Sequence, residues 1–586
     1  MRLTPQQQAA LDHPGNVLLT ACPGSGKTRT IVAKLVSEVE RLRGTPFAVA
    51  CITYTNAAVS EIDTRVSAHL MPDDHLNYLV STIHAFCLHQ ILRPFASRVP
   101  GFSGAMQVLT PDREEFTEIA DEAAEAVGRY DLRYEDYELF GRIGLDVSGK
   151  YIGSALTDDM IRLAAPHFMQ GAAARGFIDF ASILYLSYCL LRDDPEVARS
   201  VATRFQSFLI DEFQDTTEIQ VEILRLIHAQ SKSRFFLVGD PAQSIFGFAG
   251  AKPELIEPFA VDIGASRAYS LSWNFRSSRP IVEHAEKLFQ RAPAMTSEGK
   301  NKHCTEPVRF SAQDDTFDAI TDEFLPSIER MGLPLGRSAI VAKSWTELYS
   351  LARRLRDYGI KVVGPGARPY RRSRLFANLA EQLGAAVTDG HRYNVRQLER
   401  AMFNAIQDMT GTGRWDIFGY DGRRTMIALM RTARSLAEHQ DGVNWMESLA
   451  AETGAILVRD GWIEARRQND LLTSAKDMIA DMHHAEIDVS NLSIEDLGMF
   501  ASPDKALRLT TIHDSKGREY AAVAIIGLKE GRIPDYRSRT AAAIEGDKRL
   551  FYVGVTRAEQ LLLYVYEHDY RNGPSRFLGE DGVGIV

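Results

Sequence analysis

The first pattern in the chain that could do chemistry lies near its start. Ala21-Cys22-Pro23-Gly24-Ser25-Gly26-Lys27-Thr28 follows the apolar run Val17-Leu18-Leu19-Thr20 and precedes apolar residues at helical spacing from Ile31 to about Leu42. A strand, a loop of small residues, Lys-Thr and a helix, in that order, form the context of a phosphate-binding P-loop. Small residues let consecutive backbone N–H groups curl around phosphate oxygens, and the start of the helix adds partial positive charge. Lys27 then reaches the β- and γ-phosphates, and the Thr28 hydroxyl ligates Mg²⁺. Ala21 stands where the usual pattern has its first glycine.

A second pattern completes the chemistry. Phe208-Leu209-Ile210 reads as a buried strand ending in Asp211-Glu212. Beside a phosphate loop, a carboxylate pair at a strand end has a ready role. Asp211 holds Mg²⁺, usually through water, and Glu212 accepts the proton of the attacking water. The two patterns predict nucleotide hydrolysis, with ATP and Mg²⁺ as cofactors.

Elements that position such groups need a folded chain of ordinary composition. The 586 residues are 45% hydrophobic and 25% charged, which excludes disorder along the whole length. That size calls for roughly three to five domains or subdomains. No apolar run reaches the ~18 residues of a membrane span, and the start, MRLTPQQQ, has no apolar signal core. A cytoplasmic protein without a membrane partner is expected. Lys+Arg 67 against Asp+Glu 77 gives a net charge of −10, which argues against coating nucleic acid by bulk charge but leaves room for a local basic groove. Cys22, Cys51, Cys87, Cys189 and Cys304 form no CxxC pair, so buried reduced thiols are expected rather than zinc or disulfides.

A series of further motifs resembles the UvrD/Rep/PcrA-like superfamily 1A DNA helicases, in the family's order. Leu3-Thr4-x-x-Gln7-x-x-Ala10 resembles the glutamine motif that reads adenine. Thr53-Tyr54-Thr55-Asn56 with Glu61 and Arg65 resembles motif Ia, Ser81 to Phe86 the next DNA-side motif, and Asp179-Phe180 the signature before motif II. Leu209 to Thr216 (LIDEFQDT) resembles motif II, Val238 to Ala251 (VGDPAQSIFGFAGA) motif III, and Asn274-Phe275-Arg276-Ser277 motif IV. Leu509 to Tyr520 resembles motif V, Leu550 to Ala558 (LFYVGVTRA) motif VI, and Pro574 to Leu578 the closing segment. Departures cluster on the DNA side. Motif Ia has Ala57 for the usual Lys and Tyr54 for Phe, and motif III lacks the arginine of its W-R-G ending.

The resemblance implies roles residue by residue. Arg276 and Arg557 are implied to point from the second RecA-like domain onto the γ-phosphate; an arginine finger is worth roughly 10³–10⁵ in rate. Gln243 senses the γ-phosphate, Gln7 and Phe275 contact adenine, and Glu519 bonds the ribose. With Ala21, Pro23, Gly24, Ser25, Gly26, Lys27, Thr28 and Arg29, these form the implied ATP-binding set. Tyr54, Asn56, His84, Phe246 and Phe248 are the DNA candidates, since stacking on aromatic rings tolerates any sequence. Phe246 and Phe248 alternate at i, i+2, which on an extended loop puts both on one face; the Gly247 and Gly250 spacers favour exposure. Arg368-Pro369-Tyr370-Arg371-Arg372-Ser373-Arg374 reads equally as a phosphate-tracking stretch or as a solvated turn between subdomains.

The implied fold is α/β: two RecA-like P-loop domains with mostly helical 1B and 2B insertions and ATP in the cleft between the domains. Residues 1–86 and 201–265 form domain 1A, 87–200 the 1B insertion, 266–370 and 501–586 domain 2A, and 371–500 a reduced 2B-like insertion. Two functions stand open. One is an ATP-dependent DNA helicase or translocase moving 3′ to 5′ on single-stranded DNA, with tailed duplexes as substrates and a repair protein as partner. The other is a DNA- or nucleotide-sensing ATPase subunit that regulates an effector such as a nuclease, as in the compact UvrD-like proteins of bacterial anti-phage systems.

Overall fold

The computed structural model describes residues 2–99, 106–111, 113–230, 233–388, 395–410, 414–485, 487, 489–569 and 571–580. The chain divides into two compact units. One comprises the chain up to Cys304 together with Thr540–Val553; the other comprises Thr305–Arg539 and the chain from Gly554 onward. None of the described helices is long and apolar enough to cross a membrane.

The first unit is built on a six-stranded parallel sheet. Its strand order is Ser266–Leu271, Val17–Ala21, Arg234–Gly239, Phe205–Ile210, Ala48–Thr53, Tyr78–Thr82. A parallel sheet is covered on both faces, so its strands read as continuous apolar runs. Val17, Leu19 and Ala21 face Ile31, Leu35 and Val39 of helix Lys27–Leu42. Leu18, Phe208 and Ile210 face the other way, into Ile183 and Leu190 of helix Phe180–Asp193 and Ile223 and Ile227 of helix Glu218–Ala229. Because every strand runs in one direction, the phosphate loop, the acid pair and the turn at Asp240 all emerge at the same edge. The described residues between Phe86 and Phe205 are largely helical, and among them Phe116, Ile119, Phe140 and Phe168 make a core separate from the sheet's.

One expected boundary is corrected. Residue 266 does not open the second domain: Ser266–Leu271 pairs in parallel with Val17–Ala21 and closes the edge of the first sheet. The chain then stays with that unit through Trp273–Asn274, which pairs with Thr296–Ser297, until Cys304.

The second unit has its own six-stranded parallel sheet, ordered Arg309–Gln313, Ala558–Glu567, Tyr520–Ile525, Ser338–Ala342, Leu507–Thr511, Val362–Val363. Ile340, Leu509, Ala524 and Leu563 pack with Leu348, Leu351 and Leu355 of helix Trp345–Asp357. Two parallel sheets flanked by helices are the two RecA-like domains. Within this unit, helices Tyr420–Ala437, Gly442–Arg459 and Asp470–His484 bury Leu429, Trp445, Leu449, Leu471 and Met478 in a core distinct from the sheet's. The Trp445 indole N–H donates to Ala433 O at 2.9 Å, so this buried polar group is satisfied.

The arginine-rich stretch before that insertion is a pinned turn. Arg368 grips Glu381 with contacts of 2.7 and 3.0 Å, and the buried Tyr370 hydroxyl donates to the same carboxylate at 3.1 Å. Arg374 donates to Asp481 at 2.8 and 2.9 Å and to Asp477 at 3.1 Å. The Arg368 and Arg374 guanidinium groups are spent on protein carboxylates, whereas Arg371 and Arg372 are exposed.

Candidate active site and aromatic surface

The phosphate loop is held from both sides. Gly24 and Gly26 adopt φ of +67° and +83°, and Gly26 caps helix Lys27–Leu42. The Ser25 hydroxyl donates to Cys22 O at 2.6 Å. Gln7 Nε2 donates to Ser25 O at 3.1 Å, while its Oε1 accepts from Thr4 N at 3.0 Å in the capping box of helix Pro5–Asp12. Opposite, Asn274 Nδ2 donates to Pro23 O and Phe275 N to Gly24 O, each at 2.9 Å. Ala21, Pro23 and Ser25 are buried, whereas Arg29 is exposed and Thr28 half-buried.

These contacts correct the placement of Arg276. It belongs to the unit that carries the phosphate loop, because Asn274 and Phe275 are bonded to that loop. A Cβ added to Gly24 would lie 2.7 Å from the Arg276 Cβ and 3.1 Å from Asn274 Oδ1. Gly24→Ala is therefore expected to weaken ATP binding about tenfold, since a left-handed backbone alone costs an alanine roughly 1–2 kcal/mol. Titration of a fluorescent ATP analogue checks this; wild-type affinity would show that the loop tolerates a side chain.

Lys27 Nζ is buried without a hydrogen-bond partner, 3.7 Å from a Glu212 carboxylate oxygen. Burial, and then the charge of Glu212, hold the Asp211 carboxyl well above its ordinary range, with Lys27 pulling the other way. An orphaned ammonium beside two crowded carboxyls suits a phosphate and a divalent cation, which together supply the missing counter-charges. Thr28 and Asp211 would hold Mg²⁺, so the residues present fit that ion.

Glu212 has a φ of +50°, uncommon for a residue with a side chain. Its carboxylate accepts from Gln214 Nε2, and Gln214 Oε1 in turn accepts from Asp240 N at 2.9 Å. Gly239 is required here, because a Cβ would sit 2.7 Å from Gln214 Oε1. Gln214 thus ties the carboxylate at one strand end to the turn at another. Its place inside LIDEFQDT was visible in the sequence, but its role was not. Asp240 is fully buried and accepts from Ala242 N at 3.2 Å, from Gln243 Nε2 and from Arg291 Nη2. No local sequence signal marks Arg291.

The aromatic candidates form a surface. Tyr54 and Phe246 stack at 4.9 Å and 20°, and Phe246 meets Phe248 edge-on at 6.0 Å. Phe248 is 59% exposed, Tyr54 39%, and Phe246 half-buried. The expected extended loop is instead a 3₁₀ turn at Gly247–Ala249, which folds the two phenylalanines onto each other. His84 lies edge-on to Phe180 at 5.5 Å, and burial pulls its pKa down to about 4, so it is neutral at pH 7. Phe180 is half exposed. Asn56 is exposed at the start of helix Asn56–Ser67, where Thr55 caps Ala58 N at 3.2 Å.

Two expected ATP-site residues lie in the second unit. Arg557 is buried, donating to Arg518 O at 3.3 Å and to Thr556 Oγ1 at 3.0 Å, and Glu519 is exposed.

Residues 3–263 match the UvrD/REP helicase N-terminal domain, and residues 466–569 match the UvrD-like helicase C-terminal domain. The chain is 24% identical over 640 residues to a protein named DNA helicase II in Salmonella typhimurium, covering 98% of this chain and 86% of that one. It is 24% identical over 649 residues to ATP-dependent DNA helicase PcrA of Leuconostoc citreum, with 98% and 84% covered. It is also 24% identical over 656 residues to ATP-dependent DNA helicase Rep of Escherichia coli, with 99% and 94% covered.

Proposed function

The chain belongs to the UvrD/Rep helicase family and is an ATP-dependent DNA helicase; on that premise we propose that it moves 3′ to 5′ on single-stranded DNA and opens 3′-tailed duplexes. The observation that carries the hydrolytic part is the buried Lys27 ammonium beside Glu212, at the sheet edge where the phosphate loop and the Asp211-Glu212 pair both emerge.

Bound Mg²⁺ would screen the β- and γ-phosphate oxygens. The chain's own residues do the rest. Loop N–H groups and Lys27 seat the phosphates, with Thr28 and Asp211 as ligands for the ion. Glu212, held by Gln214, takes the proton of the attacking water. Gln243 and Arg276 act on the γ-phosphate, Gln7 and Phe275 contact the adenine, and Arg29 belongs to the ATP-binding set. Tyr54, Phe246, Phe248, His84 and Asn56 bind the single strand.

The alternative of a sensing subunit that regulates a nuclease gains no support from the relatives named above. Strand displacement with the isolated chain tests the motor. Unwinding of a 3′-tailed duplex, with little of a 5′-tailed one, is expected in the presence of ATP and Mg²⁺. The opposite preference would refute the polarity, and DNA-stimulated turnover without unwinding of either would refute the helicase.

A further inference from the structure

We propose that Arg291 is a positioning residue for ATP hydrolysis, orienting Gln243 through the carboxylate of Asp240; the inference rests on the hydrolytic reading above. Arg291 Nη2 lies 2.8 and 2.9 Å from the two Asp240 oxygens and 2.9 Å from the Tyr552 hydroxyl. The guanidinium also sits over the Tyr552 ring, 5.7 Å from its centroid, and Phe289 packs edge-on against that ring at 5.1 Å. Asp240 and Tyr552 are fully buried, and the Arg291 side chain is 13% exposed.

The consequence falls on Gln243. Its Nε2 donates to Asp240, so the orientation of this buried amide depends on where the carboxylate points. A carboxylate anchored only by the backbone N–H of Ala242 could rotate about its side-chain bonds. Arg291, itself fixed by Tyr552 and Phe289, removes that freedom. One N–H of the amide is held by Asp240, so the carboxylate helps set the geometry with which Gln243 acts on the γ-phosphate in the reading above.

Arg291 spans both groups from one end of its guanidinium, with Nη2 meeting the carboxylate and the phenol. Lysine offers a compact charge on a stem with a different reach, so its ammonium does not stand where Nη2 stands. Arg291→Lys therefore keeps a cation beside the buried Asp240 but loosens the anchor. A cavity of about 530 Å³, bordered by Cys22, Asp240, Arg291 and Arg549, admits water to the shortened side chain.

The test is a double-mutant cycle on the full chain, reading ATP turnover with saturating single-stranded DNA. Arg291→Lys is expected to lower kcat about tenfold, the size of one charge-assisted hydrogen bond, with KM for ATP within about twofold and the melting temperature little changed. In a Gln243→Ala background the same substitution should have almost no effect, because the group it positions is gone. Tyr552→Phe, which removes only the hydroxyl, should show the same pattern with a smaller loss, and it replaces Arg291→Lys in the cycle if that variant does not fold. Wild-type kcat in the single variants overturns the inference. So does an undiminished loss in the Gln243→Ala background, or a KM and melting temperature that fall together with kcat. If Gln243→Ala alone turns over normally while Glu212→Gln is inactive, the role of Gln243 and this inference fail together and the hydrolytic reading stands. An active Glu212→Gln sinks the hydrolytic reading itself.

Discussion

Glu212→Gln is expected to bind Mg·ATP near wild-type affinity while turnover falls by about 10²–10⁴, the usual worth of a positioned general base. The structure gives reasons for both halves. The phosphate loop is held by Gln7, Asn274 and Phe275, none of which the substitution touches. The new amide can still accept through its oxygen from Gln214 Nε2, so the side chain keeps its place. Removing the Glu212 charge also relieves Asp211, whose carboxyl that charge helps to hold above its ordinary range. Asp211 then ionises more readily, and the Mg²⁺ ligand set is not weakened. What the amide lacks is the ability to take a proton. Lys27→Ala should behave differently, losing phosphate affinity and turnover together. Binding of a fluorescent ATP analogue, beside single-turnover hydrolysis, separates the two variants. Normal turnover in Glu212→Gln would move the base elsewhere.

The placement of the phosphate loop and the strand-end acid pair is legible because the chemistry proposed for them restricts both residue types and local context. A loop that wraps phosphate needs Gly24 and Gly26 in the left-handed region, and the strand before it must be buried. What escaped reading is contact across long sequence separation. Asp240 and Arg291, or Arg291 and Tyr552, share no periodicity or spacing that could announce them. The resemblance places Arg276 in the second domain and the structure places it in the first unit, for a related reason. Ser266–Leu271 is an edge strand with a half-exposed pattern, and in sequence such a strand looks the same whether it ends one sheet or begins the next. The Arg368–Arg374 stretch shows the limit of composition: of its four arginines, Arg368 and Arg374 are engaged by Glu381, Asp477 and Asp481, while Arg371 and Arg372 are exposed, a division the composition does not announce.

The double substitution Phe246→Ala/Phe248→Ala is expected to remove single-strand affinity selectively. Stacking on an aromatic side chain contributes about 1–3 kcal/mol per base, so losing two rings should weaken binding by about thirtyfold or more. Basal ATPase should persist, because the hydrolytic residues are held by other contacts, while DNA stimulation and translocation are lost. If the rings were core residues, each truncation would cost about 3–5 kcal/mol in cavity terms and the melting temperature would collapse with every activity. Their exposure decides which outcome to expect. Phe248 is 59% exposed and Phe246 half-buried, and the ring contacts forfeited include the Tyr54–Phe246 stack and the edge-on Phe246–Phe248 pair. An aromatic pair of that kind is worth roughly 0.5–1.5 kcal/mol beyond its area. The same stack makes Tyr54 part of the platform, because a ring that supports Phe246 from one side fixes the face it offers on the other. Tyr54→Ala should therefore lower single-strand affinity by a smaller factor and add less than its full effect to the double variant. Fluorescence anisotropy with a labelled oligonucleotide, read beside thermal melting and basal turnover, distinguishes the cases. A protein that melts early and loses all three activities together would place these rings in the core. Unchanged anisotropy in a stable protein would place the path of the strand elsewhere.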